Sequence, residues 1–201
     1  MARIDYYFSP ISPFTYLAGT RLEEIAGRHG VEIVYKPLDV IQLFGRTGGV
    51  PPKERHPNRQ EYRLHDLERS AAMLDLPINL SPAYWPANPA PSSFAIIAAQ
   101  KAGGGDLGAL VHGLCRACWA EDRNIAEDDV IADCLDAAGF DRALATAGML
   151  AGAEAYSRNL DEAVMAGVFG APFYVTDDDQ RFWGQDRLAH LDWRLGQRSA
   201  A

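Results

Sequence analysis

Residues 4–35 read as strand, helix and strand in a stretch so short that the two strands must run parallel around a right-handed crossover. The run Ile4-Asp5-Tyr6-Tyr7-Phe8 is apolar and aromatic, as a buried strand is. Ser9-Pro10-Ile11-Ser12-Pro13-Phe14 follows at once. Ser12 fits the N-cap of a helix and Pro13 its first residue, where a missing N–H costs nothing. From there Phe14, Leu17, Ala18, Leu22, Ile25 and Ala26 recur at helical spacing to about His29, and Gly30 supplies a left-handed stop. Val31 to Tyr35, rich in β-branched residues, is the second strand. The Ser12 hydroxyl therefore sits at the positive end of a helix, beside unpaired backbone N–H groups. A thiolate, phosphate or carboxylate is stabilised there. Capping alone is the commoner role of such a serine.

The rest of the chain sets the architecture. Residues 37–52, with Gly45, Gly48, Gly49, Pro51 and Pro52, read as a long loop of the functional or mobile kind. A helix is expected over about 60–74, and 76–91, with its prolines, is irregular. Helical segments follow at about 92–102, 107–119, 127–138, 141–148 and 151–166. Strand character returns in Phe173-Tyr174-Val175-Thr176. The turn Asp177-Asp178-Asp179-Gln180 leads to a hairpin partner, Arg181-Phe182-Trp183. A helix over about 186–197 closes the chain, with Asp186 as its N-cap. The expected fold is α/β, β-α-β then β-β-α, with a mixed sheet and a large all-helical insertion. Residues 1–40 and 151–201 form the sheet domain, and 41–150 a substrate loop and helical insertion.

Composition narrows the function. The chain has 201 residues, 48% of them hydrophobic, enough for a sizeable core. A net charge of -8 gives no broad basic field, which disfavours nucleic acid and anionic membranes as partners. The local basic density at 53–69 is interleaved with Glu54, Glu61, Asp66 and Glu68 and reads as a solvated helix face. No leader is expected from the opening residues, and no apolar run of about 18 residues occurs. Three cysteines, an odd number, fit a reducing compartment without disulfides, so the cytoplasm is expected. Cys115-Arg116-Ala117-Cys118 falls inside an apolar helical run and reads as helix packing, as does Cys134. Zinc would need two further ligands, and His29, His56, His65, His112 and His190 have no ligand spacing, so no metal is expected. No dinucleotide or phosphate-loop pattern occurs.

Two further segments carry chemistry: Gly167-Val168-Phe169-Gly170-Ala171-Pro172-Phe173, and Phe182-Trp183-Gly184-Gln185-Asp186-Arg187-Leu188. Strand-Ser-Pro-x-Ser-Pro-Phe, Val-Phe-Gly-Ala-Pro-Phe and Trp-Gly-Gln-Asp-Arg-Leu, in this order and at these distances, resemble the 2-hydroxychromene-2-carboxylate isomerases. These are relatives of the kappa-class glutathione transferases in the DsbA-like branch of the thioredoxin superfamily. The resemblance spans nearly the whole chain, including Arg46-Thr47-Gly48-Gly49-Val50-Pro51 and Trp119-Ala120-Glu121-Asp122.

It implies a thioredoxin-like fold and a glutathione-dependent isomerase of aromatic-compound catabolism that is a homodimer. Reduced glutathione would be the cofactor and a small aromatic carboxylate the substrate. Ser12 matches the family's catalytic serine, facing the glutathione sulfur. A hydroxyl donor and a helix N-terminus both lower a thiol pKa of about 8.5. Pro172 matches the cis-proline, whose loop leaves the Ala171 backbone to pair with the glutathione peptide. Gln185 and Asp186 match positions that hold the γ-glutamyl end. Some relatives carry Asn where this chain has Gly49, so one ligand contact is missing. Arg46, Arg55, Arg59 or Arg63 could meet a substrate carboxylate in its stead, and each is otherwise a solvated surface residue. Tyr84, Trp85, Asn88 and Trp119 could line an aromatic pocket, with buried packing as the alternative for Trp119. A kappa-like glutathione transferase would share every glutathione contact. A glutathione-binding module would share them without chemistry. A dithiol oxidoreductase would need cysteine at Ser9 or Ser12.

Overall fold

The computed structural model describes residues 2–147 and 149–199. Four strands form one mixed sheet in the order β2-β1-β3-β4: β1 Arg3–Phe8, β2 Glu32–Pro37, β3 Phe173–Thr176 and β4 Arg181–Trp183. β1 and β2 are parallel, with Ile4 opposite Ile33 and Phe8 opposite Pro37, whereas β3 runs antiparallel to both β1 and β4. The two-residue period of a strand divides the core. Ile4, Tyr6 and Phe8 enter the larger cluster, with residues of the helical block. Tyr7, Phe173 and Val175 enter a smaller cluster on the other face.

The expected helix from Pro13 to His29 is two helices, α1 Pro13–Ala18 and α2 Arg21–His29. Gly19, at φ 59 and ψ -137, ends the first. The Arg21 guanidinium then takes the carbonyls of Ala18 at 3.1 Å and Leu17 at 2.7 Å, which a continuing helix would have bonded itself. The stretch read as a loop contains α3, Val40–Thr47. Asp39 caps it by accepting from Ile41 N and Gln42 N, and Gly48, at φ 78, closes it.

The helical block comprises α4 Pro57–Met73, α5 Ala90–Ala102, α6 Leu107–Trp119, α7 Asp128–Ala137 and α8 Met149–Met165. The stretch expected as a helix at 141–148 is a 3-10 turn over Arg142–Ala145, and Gly148, where it was to end, lies outside the described residues. The chain closes with a 3-10 turn, Gln185–Arg187, and α9, Leu188–Ser199. Asp186 is thus inside the turn and not the cap of the last helix.

β2 is an outer strand, and side chains cover it. Gln100 of α5 accepts from Tyr35 N at 2.8 Å and donates to Tyr35 O at 3.1 Å, and Asn159 of α8 donates to Pro37 O at 2.9 Å. α5 and α8 cross closely because Gly152 has no side chain: a Cβ there would stand 2.7 Å from Phe94 Cβ.

Glu23 of α2 is largely withdrawn from water, and burial raises its pKa from 4.5, against the lowering effect of the Tyr35 hydroxyl that donates to it at 2.8 Å. A carboxyl that binds its proton more tightly in the folded chain stabilises the fold fully below the unfolded pKa. That contribution is lost as pH rises through the folded value. Glu23→Gln resembles the protonated form at every pH. Its unfolding free energy in urea is therefore expected to exceed that of the parent at pH 7.5 and to match it at pH 4. An equal difference at both pH values would show that the carboxyl does not titrate in this way.

Candidate active site

A cavity of about 510 Å³ opens where the end of β1, α3, the segment leading into α4, and the loop before β3 converge. Ile11, Ser12, Pro13 and Phe14 form one part of its lining, and Gly170, Ala171, Trp183, Gly184 and Asp186 another. α3 contributes Val40, Ile41 and Phe44, while Arg55, Arg63, Trp85 and Pro86 come from the helical block and its connections.

Ser12 is 9% exposed and caps α1, its Oγ accepting from Thr15 N at 3.3 Å. Its hydroxyl donates to Ala171 O across the cavity at 3.4 Å, a long and weak hydrogen bond. The Ala171–Pro172 peptide is cis. Among the described residues the N–H groups of Phe14 and Ala171 have no hydrogen-bond partner. The donor set at this point is thus one hydroxyl and two backbone N–H groups. Because α1 spans only six residues, its dipole is weaker than that of the long helix expected from the sequence. The local donors carry most of any stabilisation of an anion.

The Ser12 loop is fixed from behind. The indole N–H groups of Trp85 and Trp119 both donate to Ile11 O, at 3.2 and 3.3 Å, and their rings lie 5.7 Å apart. Trp119 is 1% exposed and does not line the cavity, whereas Trp85 does.

The other expected site residues divide. Asp186 faces the cavity. Gln185 lies behind it, its Oε1 accepting from Arg21 at 2.6 Å. Arg46 is outside the cavity, paired with Asp161 at 2.7 Å. Tyr84 is exposed and outside it, and Asn88 caps Ala90 N at 3.1 Å. Gly49 does not line the cavity, but a Cβ there would meet the Phe44 ring at 2.5 Å, so its lack of a side chain lets Phe44 reach the cavity wall. Phe14, Ile41, Phe44 and Trp183 are lining residues that sequence reasoning did not single out. The signal for Ile41 and Phe44 was available in the Asp39 cap and the helical spacing of Val40, Leu43 and Phe44.

The thiols lie elsewhere. Cys115, Cys118 and Cys134 are buried and free, and burial pushes Cys118 up to about 12 and Cys134 up to about 11. Such groups are poor nucleophiles. Ser9 and Ser12, where a dithiol oxidoreductase would need a cysteine, lie just before α1 and at its cap. Neither is cysteine. Among the described residues no cluster of His, Cys, Asp and Glu could hold a metal ion, and no helix is long and apolar enough to cross a membrane.

Residues 3–196 match the family described as DSBA-like thioredoxin domain. A 2-hydroxychromene-2-carboxylate isomerase of Sphingobium xenophagum is 32% identical over 192 residues, 94% of this chain and 95% of the relative. Glutathione S-transferase kappa 1 of Caenorhabditis elegans is 32% identical over only 85 residues, 42% of this chain and 37% of its own length. The solved structure of a selenomethionine 2-hydroxychromene-2-carboxylate isomerase superposes with a TM-score of 0.77 at 26% identity, covering 98% of this chain and 96% of its own. The cytosolic disulfide reductase DsbM of Pseudomonas aeruginosa, solved with GSH, shares the fold with a TM-score of 0.68 at 19% identity, over 98% of each chain.

Proposed function

The chain belongs to the DSBA-like thioredoxin family, among the 2-hydroxychromene-2-carboxylate isomerases, and on that footing we propose that it isomerises a small aromatic carboxylate with reduced glutathione as cofactor. The observation that carries the glutathione reading is the Ser12–Ala171 pair. A hydroxyl and a free backbone N–H stand together at one end of an apolar cavity. These groups fit a cysteinyl peptide. Bound glutathione would supply a sulfur nucleophile that adds to the conjugated substrate and leaves after rotation about the former double bond.

The protein's own groups do the rest. The Ser12 hydroxyl has one hydrogen, which the Ala171 carbonyl holds only weakly. Turning that hydrogen toward a sulfur favours the thiolate and releases the carbonyl. Ala171 is then free to accept from a ligand N–H and to donate its own N–H, the pairing of a short added strand. The Phe14 N–H gives a second donor near the same point. Asp186 can meet the ammonium of the γ-glutamyl group. The lining from Phe14, Ile41, Phe44 and Trp85 accepts an aromatic ring and keeps water from the reacting atoms. In this reading residues 1–40 and 151–201 hold glutathione, and 41–150 select the substrate. A homodimer belongs to the same proposal and rests on the family resemblance, and a cytoplasmic location rests on the three unpaired cysteines.

The test is titration calorimetry of the purified protein with reduced glutathione and with S-methyl glutathione. Binding that weakens when the sulfur is capped is the expected result. No heat at millimolar glutathione would overturn the cofactor assignment.

A further inference from the structure

Two guanidinium groups in the cavity have no part in the peptide-binding reading. Arg63 lies over the Trp85 ring, 5.5 Å from its centroid, and Arg55 lies over the Phe44 ring at 5.7 Å. Both are half-buried and both line the cavity. Arg55 Nε donates to Val50 O at 2.8 Å, which leaves its terminal nitrogens free, and among the described residues Arg63 has no hydrogen-bond partner. Neither is within ion-pair distance of a described carboxylate, in a chain with 27 acidic residues against 19 basic ones. Other arginines find partners easily: Arg46 has Asp161, and Arg28 has Asp192.

Leaving two like charges beside each other, partly out of water and unpaired, is unfavourable. Burial and the Arg55 charge both disfavour the charged form of Arg63. An anion between them would offset both effects. A guanidinium over a ring face keeps its N–H groups for other partners, and its planar fork can grip a carboxylate with two parallel hydrogen bonds. The lining near them includes the apolar side chains of Phe14, Ile41 and Trp85, and Lys53 and Glu54 line the cavity beside Arg55.

We propose that Arg63, assisted by Arg55, is the specificity subsite for the carboxylate of the aryl substrate, whose ring packs on the lining from Phe14 and Ile41. This rests on the isomerase reading of the cavity and names the residues that select the acid. The assay uses salicylate and its neutral counterpart salicylamide, titrated at pH 7 into glutathione-free protein and followed by tryptophan fluorescence. The parent is expected to bind salicylate about tenfold or more tightly than salicylamide, since hydrogen bonds between charged groups are the stronger ones. Arg63→Met should remove most of that preference and leave salicylamide affinity within about twofold. Arg69→Met, on the same helix but paired with Asp66 outside the cavity, should change neither. Should Arg63→Met fail to fold, Arg55→Met tests the same subsite, with a smaller loss of preference expected. A parent that does not distinguish the two probes, or a preference that survives in these variants, overturns the proposal. Glutathione is absent from the assay, so failure of the cofactor assignment would leave this result untouched.

Discussion

Replacing Ser12 by alanine should lower turnover about 10²–10³-fold, the usual effect of losing one preorganised donor to a developing anion. Glutathione affinity should stay within a few-fold, because the Ala171 backbone and Asp186 keep their contacts. The acid limb of the pH–rate profile should move to higher pH. The hydroxyl stabilises thiolate and not thiol, so without it the sulfur holds its proton more tightly. The variant also loses the cap on Thr15 N, at about 1 kcal/mol. In a chain of this size that lowers the melting temperature by about 2–4 °C. A melting shift with unchanged turnover would reduce Ser12 to the capping role that its Ser-Pro context first suggests. Altered turnover without a displaced pH profile would point to positioning in place of thiolate stabilisation.

Trp119→Ala should cost about 3–5 kcal/mol, as for other large aromatic truncations in packed cores. Trp119 is 1% exposed and among the largest buried side chains. Its loss also removes one of two indole donors from the Ile11 carbonyl, immediately before Ser12. The melting temperature should fall by roughly 6–20 °C. Trp119→Phe separates the two contributions: it keeps a ring in the core and deletes the N–H. With Trp85 still bonded to Ile11, it should melt within a few degrees of the parent and lose turnover only modestly. A Phe variant as unstable as the Ala variant would mean that the hydrogen bond, and not the ring, holds this region.

Much of the frame was legible because local signals agreed with tertiary needs. The helix over Leu107–Trp119 and the strands Phe173–Thr176 and Arg181–Trp183 form where their patterns indicate. Each carries an unmixed period and a clear start. α3 was hidden because its glycines and the following prolines resemble a loop, although Asp39 caps it. The break at Gly19 was hidden because the apolar spacing runs through it, and only the folded arrangement brings Arg21 back to the Leu17 and Ala18 carbonyls. Ser12, Ala171 and Asp186 were legible as short motifs. Arg46 and Arg63 were not separable by sequence, since both are arginines near the Pro-Pro step. Only the fold gives one an aspartate and the other an indole face.

The side-chain amide of Gln100 occupies both backbone groups of Tyr35, as a neighbouring strand would, and Asn159 takes the next carbonyl along. The C-terminal half of that margin of the sheet is therefore already satisfied by helices and offers a poor template to a stray chain. Runaway strand-by-strand growth, the route by which sheets seed aggregates, finds its freer side at the opposite margin. There β4 has three residues, one of them the indole that shapes the cavity. A strand that short holds a foreign segment poorly, so two side-chain amides on one margin and a truncated strand on the other guard this fold against sticking to itself.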